Sequence, residues 1–363
     1  MKDLLFNRIE EKVLKGEPLS REEGVAIFRC PELLRVGEWA NQVREKMHGD
    51  DTFFVVNRHI NPTNLCVNRC RFCAFYRRGE EADAYALTME QILSKAQEAY
   101  DQGAKELHIV GGLHPHWPYG FYLDVVRTLK NAFPDMHVKA YTAVEVDHLA
   151  SISGKRVEKV LEELKEAGLD SMPGGGAEVF SVRVRKILCP QKTPPERWLR
   201  IHAAAHDLGI PTNATMLYGH VESVVERVDH LIALRELEER HPGFLAFVSL
   251  AFHPENTAVE LPGVMGTTGR DDLVTIAAAR LILHNIPHIK SYWIMLGEKI
   301  AQTALWFGAD DLEGTVVDER ITHAAGASSP RGLSKERIVG IIRDAGRVPV
   351  ERDALYNEVK RYG

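Results

Sequence analysis

Three cysteines, Cys66, Cys70 and Cys73, sit close together in the stretch Asn64-Leu-Cys-Val-Asn-Arg-Cys-Arg-Phe-Cys-Ala-Phe-Tyr76. The spacing is C-x3-C-x2-C, just past an apolar run, Phe53-Phe-Val-Val56, that reads as a strand. A cubane iron–sulfur cluster normally takes four thiolates, one on each iron. Three thiolates leave one iron open to an exogenous ligand, much as a catalytic zinc keeps one position for water or substrate. A structural zinc site would want a fourth Cys or His, and neither His59 nor His114 completes a familiar zinc spacing. A disulfide framework would leave one thiol over, and Cys30 and Cys189 show no paired pattern. Those two cysteines are expected to be ordinary small buried residues.

The elements that must position this loop alternate. Strands are expected at 53–59, 105–112, 136–143, 169–173, 211–217, 245–252 and 289–296, with a weaker eighth near 314–317. Helices are expected between them at 89–102, 119–132, 155–167, 194–208, 221–240 and 270–285. Gly or Pro stands before most strands (Gly103, Pro134, Gly168, Gly209, Pro287), where helix stop signals belong. Seven or eight strand–helix units predict an α/β fold, a (β/α)8 TIM-type barrel over residues 51–329, with a doubly wound open sheet as the alternative. Residues 1–50 read as an N-terminal helical extension, in which Ser20 and Glu23 have capping-box spacing. Residues 330–363 read as a C-terminal helical extension.

The chain has 363 residues, 45% hydrophobic and 26% charged, with a net charge of −6. That balance carries no footprint of nucleic-acid binding. No apolar run approaches the roughly 18 residues of a membrane span. The N-terminus lacks the apolar core of a signal peptide. No nucleic acid and no membrane partner is expected, and a cytoplasmic setting suits an oxygen-sensitive cluster.

In such barrels chemistry gathers at the C-terminal ends of the strands. Paired glycines, Gly111 and Gly112, follow the second strand and would let the backbone approach a ligand closely. Glu145 follows the third and could accept hydrogen bonds from a ribose or an amine. Gly174, Gly175 and Gly176 follow the fourth. His114, His220 and His253 each stand at an expected strand end and are the candidate catalytic histidines. Arg78, Arg185 and Tyr218 are candidate substrate binders, from a wider cationic pool with Arg77, Arg183 and Lys192.

The cysteine spacing, with the aromatic Phe72 before its last member, resembles the signature of the radical S-adenosylmethionine (SAM) superfamily. The resemblance implies a [4Fe-4S] cluster held by Cys66, Cys70 and Cys73, and SAM chelated through its amino and carboxylate groups and cleaved to a 5′-deoxyadenosyl radical. It also implies SAM contacts from Phe72, Gly111, Gly112 and Glu145. A side chain at Gly112 would then weaken SAM binding and leave the cluster assembled. Over about residues 50–330 the stretches Arg58-His-Ile-Asn-Pro-Thr-Asn-Leu-Cys66, Gly111-Gly-Leu-His-Pro115, Asp170-Ser-Met-Pro-Gly-Gly-Gly-Ala-Glu178 and Met216-Leu-Tyr-Gly-His-Val-Glu222 look like the menaquinone and deazaflavin branch. Leu250-Ala-Phe-His-Pro254 and Ile286-Pro-His-Ile-Lys-Ser-Tyr-Trp293 are similar to the aminofutalosine synthase family.

That resemblance implies a transferase acting in menaquinone biosynthesis. The adenosyl radical adds to the enol ether of 3-[(1-carboxyvinyl)oxy]benzoate, and rearrangement with loss of a carboxylate gives 6-amino-6-deoxyfutalosine. Flavodoxin or ferredoxin is the implied electron donor. The alternatives are the cyclic dehypoxanthine futalosine synthase of the same branch, where SAM ends as 5′-deoxyadenosine, and a non-catalytic iron–sulfur or zinc-binding protein.

Overall fold

The computed structural model describes residues 2–259 and 266–363. Its strands are β1 (Asp51–Val55), β2 (Asn57–Ile60), β3 (Glu106–Ile109), β4 (His137–Ala140), β5 (Thr212–Tyr218), β6 (Phe244–Ala251), β7 (His288–Lys290), β8 (Asp311–Gly314), β9 (Val348–Arg352) and β10 (Glu358–Arg361). One sheet runs β10-β9-β1-β8-β7-β6-β5 and the other β2-β3-β4. β1 and β2 are two halves of one extended segment broken at Val56. The first half pairs in parallel with β8 and the second with β3. Single bridges close the ring: Arg58 to Val317, Lys139 to Ser171, and Met172 to Thr212. The result is the expected barrel.

Most of its helices bury one stripe, whereas Gly269–Ile282, covered by helices Arg21–Phe28 and Leu33–His48, is buried nearly all round. In helix Val157–Ala167 the buried residues are Val157, Val160, Leu161, Leu164 and Ala167, the 3–4 spacing of a helix facing a sheet, and Gly168 ends it at φ 106. The expected capping box of Ser20 and Glu23 is present, and three helices fill the N-terminal extension.

Several elements differ from the sequence reading; the weaker eighth strand, expected near 314–317, lies at Asp311–Gly314. The fourth strand shrinks to the bridges at Ser171 and Met172, because Pro173 has no N–H to donate and glycines follow. The 289–296 run is a strand only to Lys290, and helix Trp293–Ala304 takes the rest; a short apolar run does not by itself distinguish the two. A helix at Ala143–Ser153 stands where strand-end loop was expected. The C-terminal segment is one helix, Lys335–Asp344, followed by the antiparallel pair β9–β10 rather than helices throughout; β9 extends the sheet beside β1. Val348-Pro-Val-Glu-Arg352 and Glu358-Val-Lys-Arg361 flank a turn built on Asp353, whose carboxylate accepts from the N–H groups of Leu355 and Asn357.

The barrel interior is polar. Lys139 on β4 meets Glu106 on β3 at 2.5 Å, and Lys290 on β7 meets Glu313 at 2.7 Å, all four buried. Burial alone would raise the Glu106 carboxyl, but Lys139 and Lys290 outweigh it and hold it well below its usual range.

Candidate active site

A cavity of about 320 Å³ opens at the C-terminal end of the barrel and runs down into it. Cys66, Cys70 and Cys73 all line it. Their loop is tied from several sides. The Val67 N–H donates to Leu113 O, Cys66 N–H to Arg77 O, and Arg71 N–H to Leu188 O. The Arg77 guanidinium donates to the carbonyls of Ala74 and Tyr76 and pairs with Asp83, so it clamps the loop from outside the cavity.

The donor set fits a cluster. Burial pushes the Cys70 thiol up to about 12 and raises Cys73, while the N–H groups of Phe75 and Tyr76 point at the Cys73 sulfur and favour a thiolate. A thiolate in this place therefore calls for a cationic partner. Three thiolates on one short loop suit a cubane that holds each on its own iron. Among the described residues, His48, His288 and Asp310 form a separate candidate metal-binding group, their donor atoms all within 4.8 Å of one another. The His48–His288–Asp310 group closes on Arg280 at the opposite, N-terminal end of the barrel strands.

Phe72, Gly111, Gly112 and Glu145 also line the cavity. Gly112 has a further reason to be glycine. A Cβ there would stand 2.2 Å from the Leu65 carbonyl oxygen, so the missing side chain makes room for the cluster loop's own backbone. A side chain at Gly112 would therefore press on the cluster loop itself as well as on any ligand beside it. Glu145 belongs to a helix, not a loop. Its carboxylate accepts from the Thr142 N–H and hydroxyl in a capping box and faces the Gly111 N–H at 3.4 Å. Burial raises its pKa to about 7 against those three donors.

Against the loop, Lys192 pairs with buried Glu178 at 2.5 Å and lies 5.2 Å from the Phe72 ring centroid. Of the cationic pool, only Lys192 lines the cavity. Arg78 is exposed, its N–H held by Glu81. Arg185 is buried and donates to the carbonyls of Gly176, Ala177 and Thr193, so it shapes the glycine loop. Arg183 pairs with Glu226 at the surface. The Tyr218 hydroxyl donates to Asp272 on the outer face of β5.

The histidines divide as well. His253 lines the cavity, with Nε2 at 3.0 Å from the Met295 carbonyl. His114 does not; it stacks on Trp117 at 4.4 Å, and its Nδ1 accepts from the N–H groups of His116 and Trp117. His220 does not either; its ring lies between the Leu217 carbonyl and Glu222. Both rings already satisfy local backbone groups. Two other histidines, His59 on β2 and His108 on β3, do line the cavity, together with Asn213, Thr215 and Tyr292.

Comparison with known proteins agrees with this geometry. Residues 60–234 match the model of the Radical SAM superfamily, and residues 241–361 match that of the CofH/MqnC C-terminal region. The chain is 48% identical to the aminodeoxyfutalosine synthase of Thermus thermophilus, covering 97% of this chain and 95% of that one. It is 46% identical to the 5-amino-6-(D-ribitylamino)uracil–L-tyrosine 4-hydroxyphenyl transferase of Methanopyrus kandleri, covering 94% of each. Among solved structures, methylornithine synthase (PylB) superposes with TM-score 0.77 at 17% identity, over 94% of this chain and 97% of that one. The hydrogenase maturase HydG of Carboxydothermus hydrogenoformans gives 0.74 at 18%, over 98% and 81%. At those identities the two share the fold. The chain belongs to the radical SAM superfamily, in the branch that carries the CofH/MqnC C-terminal region, and is an enzyme that uses a [4Fe-4S] cluster and SAM.

Proposed function

We propose that the chain is an aminodeoxyfutalosine synthase, joining the 5′-deoxyadenosyl group of SAM to 3-[(1-carboxyvinyl)oxy]benzoate. Rearrangement and loss of one carboxylate as CO2 or bicarbonate give 6-amino-6-deoxyfutalosine, and methionine is released. The observation that carries this reading is the placement of His253 and Tyr292. They come from the two segments most similar to aminofutalosine synthases, and both line the cavity that the cysteines share.

When bound, the cluster and SAM together supply the radical. The chain's own residues hold and enclose. Cys66, Cys70 and Cys73 are the proposed thiolate ligands, and Gly111, Glu145 and Phe72 the proposed SAM wall. Lys192, fixed by Glu178, is the one lining ammonium among the described residues and suits a ligand carboxylate. His253 lines the cavity with Nε2 donating to Met295 O, which leaves Nδ1 as the ring atom able to accept a hydrogen bond from a ligand. Phe252, Leu250, Val248 and Met295 give apolar walls that exclude water and other radical quenchers. A cytoplasmic setting and a flavodoxin or ferredoxin reductant go with this reading.

The Methanopyrus relative supports a second reading, transfer of a 4-hydroxyphenyl group from tyrosine. One experiment separates the two. Anaerobically reconstituted protein receives SAM and dithionite with either the benzoate enol ether or tyrosine plus the ribitylaminouracil. An adenosylated product from the enol ether is expected. Free 5′-deoxyadenosine with no adduct, or turnover only with the second pair, overturns the proposal.

A further inference from the structure

His59 and His108 are register partners on adjacent parallel strands, and their rings stack with centroids 4.4 Å apart and planes at 19°. Both line the cavity. His59 is 7% exposed, and its Nε2, like Nδ1 of His108, is buried with no hydrogen-bond partner among the described residues. A buried polar atom left unpaired costs about 1–3 kcal/mol, and the two rings that carry such atoms stack on one another in the cavity wall, which marks the pair as a place for a ligand. The depth is set by strand rise. Gly111 lies three residues beyond His108, so the pair sits about 10 Å below the cluster-loop mouth at roughly 3.3 Å per residue.

We propose that the His59–His108 pair receives the aryl carboxylate of the substrate, an inference that rests on the function proposed above. The reacting alkene must stand near SAM at the mouth, which directs the ring carboxylate, at the other end of the molecule, toward the floor. Lys192 stands beside Phe72 of the cluster loop, where it serves a carboxylate at the mouth rather than at the floor, and His253 Nε2 is taken by the Met295 carbonyl.

The surroundings set the protonation of the pair. Burial keeps both rings below their usual pKa. Glu319, Glu313 and Glu106 favour a proton on His59, and Glu106 and Glu313 favour one on His108, while Lys139 and the neighbouring ring oppose it. Lys139 is held by Glu106, and Lys290 by Glu313. A carboxylate placed against the rings adds one more negative charge. Two stacked imidazolium ions would repel, so binding takes up one proton rather than two.

Without reductant there is no turnover, and binding of the enol ether can be measured by calorimetry in two buffers of different ionisation enthalpy. Wild-type protein with SAM should bind with uptake of up to one proton. The His59→Gln/His108→Gln double variant should bind about tenfold or more weakly with no uptake, its iron content and SAM affinity unchanged. Wild-type protein should likewise bind the ring-carboxamide analogue at least tenfold more weakly, a test that requires no substitution. If wild type converts the enol ether yet binds the carboxamide as tightly, or binds the enol ether without proton uptake, the role of the pair is overturned and the function stands. If wild type neither binds nor converts the enol ether, the proposed function fails and this inference with it.

Discussion

Replacing Gly112 by alanine separates two reasons for a glycine beside a cluster: space for a ligand and space for the loop itself. The added Cβ would lie 2.2 Å from the Leu65 oxygen and 2.8 Å from its carbonyl carbon. To reach even a 3.0 Å contact, the carbonyl must retreat by about 0.8 Å. It cannot do so freely, because Leu65 N–H is held by Thr63 Oγ1, Gly112 N–H by Thr63 O, and Leu65 bridges to Arg77. Overpacking of this kind costs about 1–3 kcal/mol. Cys66 is the next residue, so the shift should reach the cluster. Gly112→Ala should unfold at lower denaturant and retain less iron after anaerobic reconstitution. At Gly111 the nearest atom, Thr63 O, is 3.0 Å away, so Gly111→Ala should cost about 1 kcal/mol or less. Gly340→Ala, in helix Lys335–Asp344 with nothing within 4 Å, is the control and should gain about 0.5–1 kcal/mol with iron unchanged. Wild-type stability and iron in Gly112→Ala would refute the packing argument. Full iron with lost SAM binding would return the glycine to the ligand role that the sequence first suggested.

Alanine at Cys66, Cys70 or Cys73 should abolish iron binding and SAM cleavage, whereas Cys30→Ala and Cys189→Ala should keep the iron; loss of iron at Cys189 would mean a fourth protein ligand. Glu145 has a folded pKa near 7, above its unfolded value near 4.5, so its contribution is present at low pH and lost as pH rises between those values. Denaturant melts of the cluster-free protein should therefore show wild type losing about 1–3 kcal/mol relative to Glu145→Gln from pH 5 to 8; parallel curves would contradict it. Lys192→Met leaves the buried Glu178 carboxylate without its partner and should cost about 3 kcal/mol, part of it recovered by adding Glu178→Gln. Additive losses in that double variant would show that the two side chains do not act as a pair.

Much of the barrel was legible because its punctuation is chemical. Gly168 ends a helix with a left-handed residue, and Ser20 with Glu23 starts one by capping. The same capping rule was available at Thr142-Ala-Val-Glu145, where it marks the helix that the sequence reading passed over; Glu145 stays at the site but as a helix N-terminal residue. The cysteine loop was legible for another reason: its ligands are contiguous, so spacing alone brings them together. The substrate side is assembled from separate strands, and no local pattern says which polar residue turns inward. Arg185 and Tyr218 fit a list of anion binders, yet the structure aims one at three loop carbonyls and the other at Asp272 outside the barrel.

The histidines make the same point more sharply. His114 and His220 were attractive because they follow strands, but a residue just past a strand often serves the turn it belongs to, and both rings do. The informative signal lay inside the strands, at a period of two: Asn57 and His59, Glu106 and His108, Asn213 and Thr215. Barrel interiors are usually filled by branched apolar side chains, so polar residues at alternate positions of three strands require partners within the ring. Asn57, Glu106 and Lys139 find them in one another. His59 and His108, one step higher on the same strands, have buried ring nitrogens that do not. Where the lower layer is closed by ion pairs and the layer above is left open, the cavity has a floor, and the two imidazoles are what a ligand meets there.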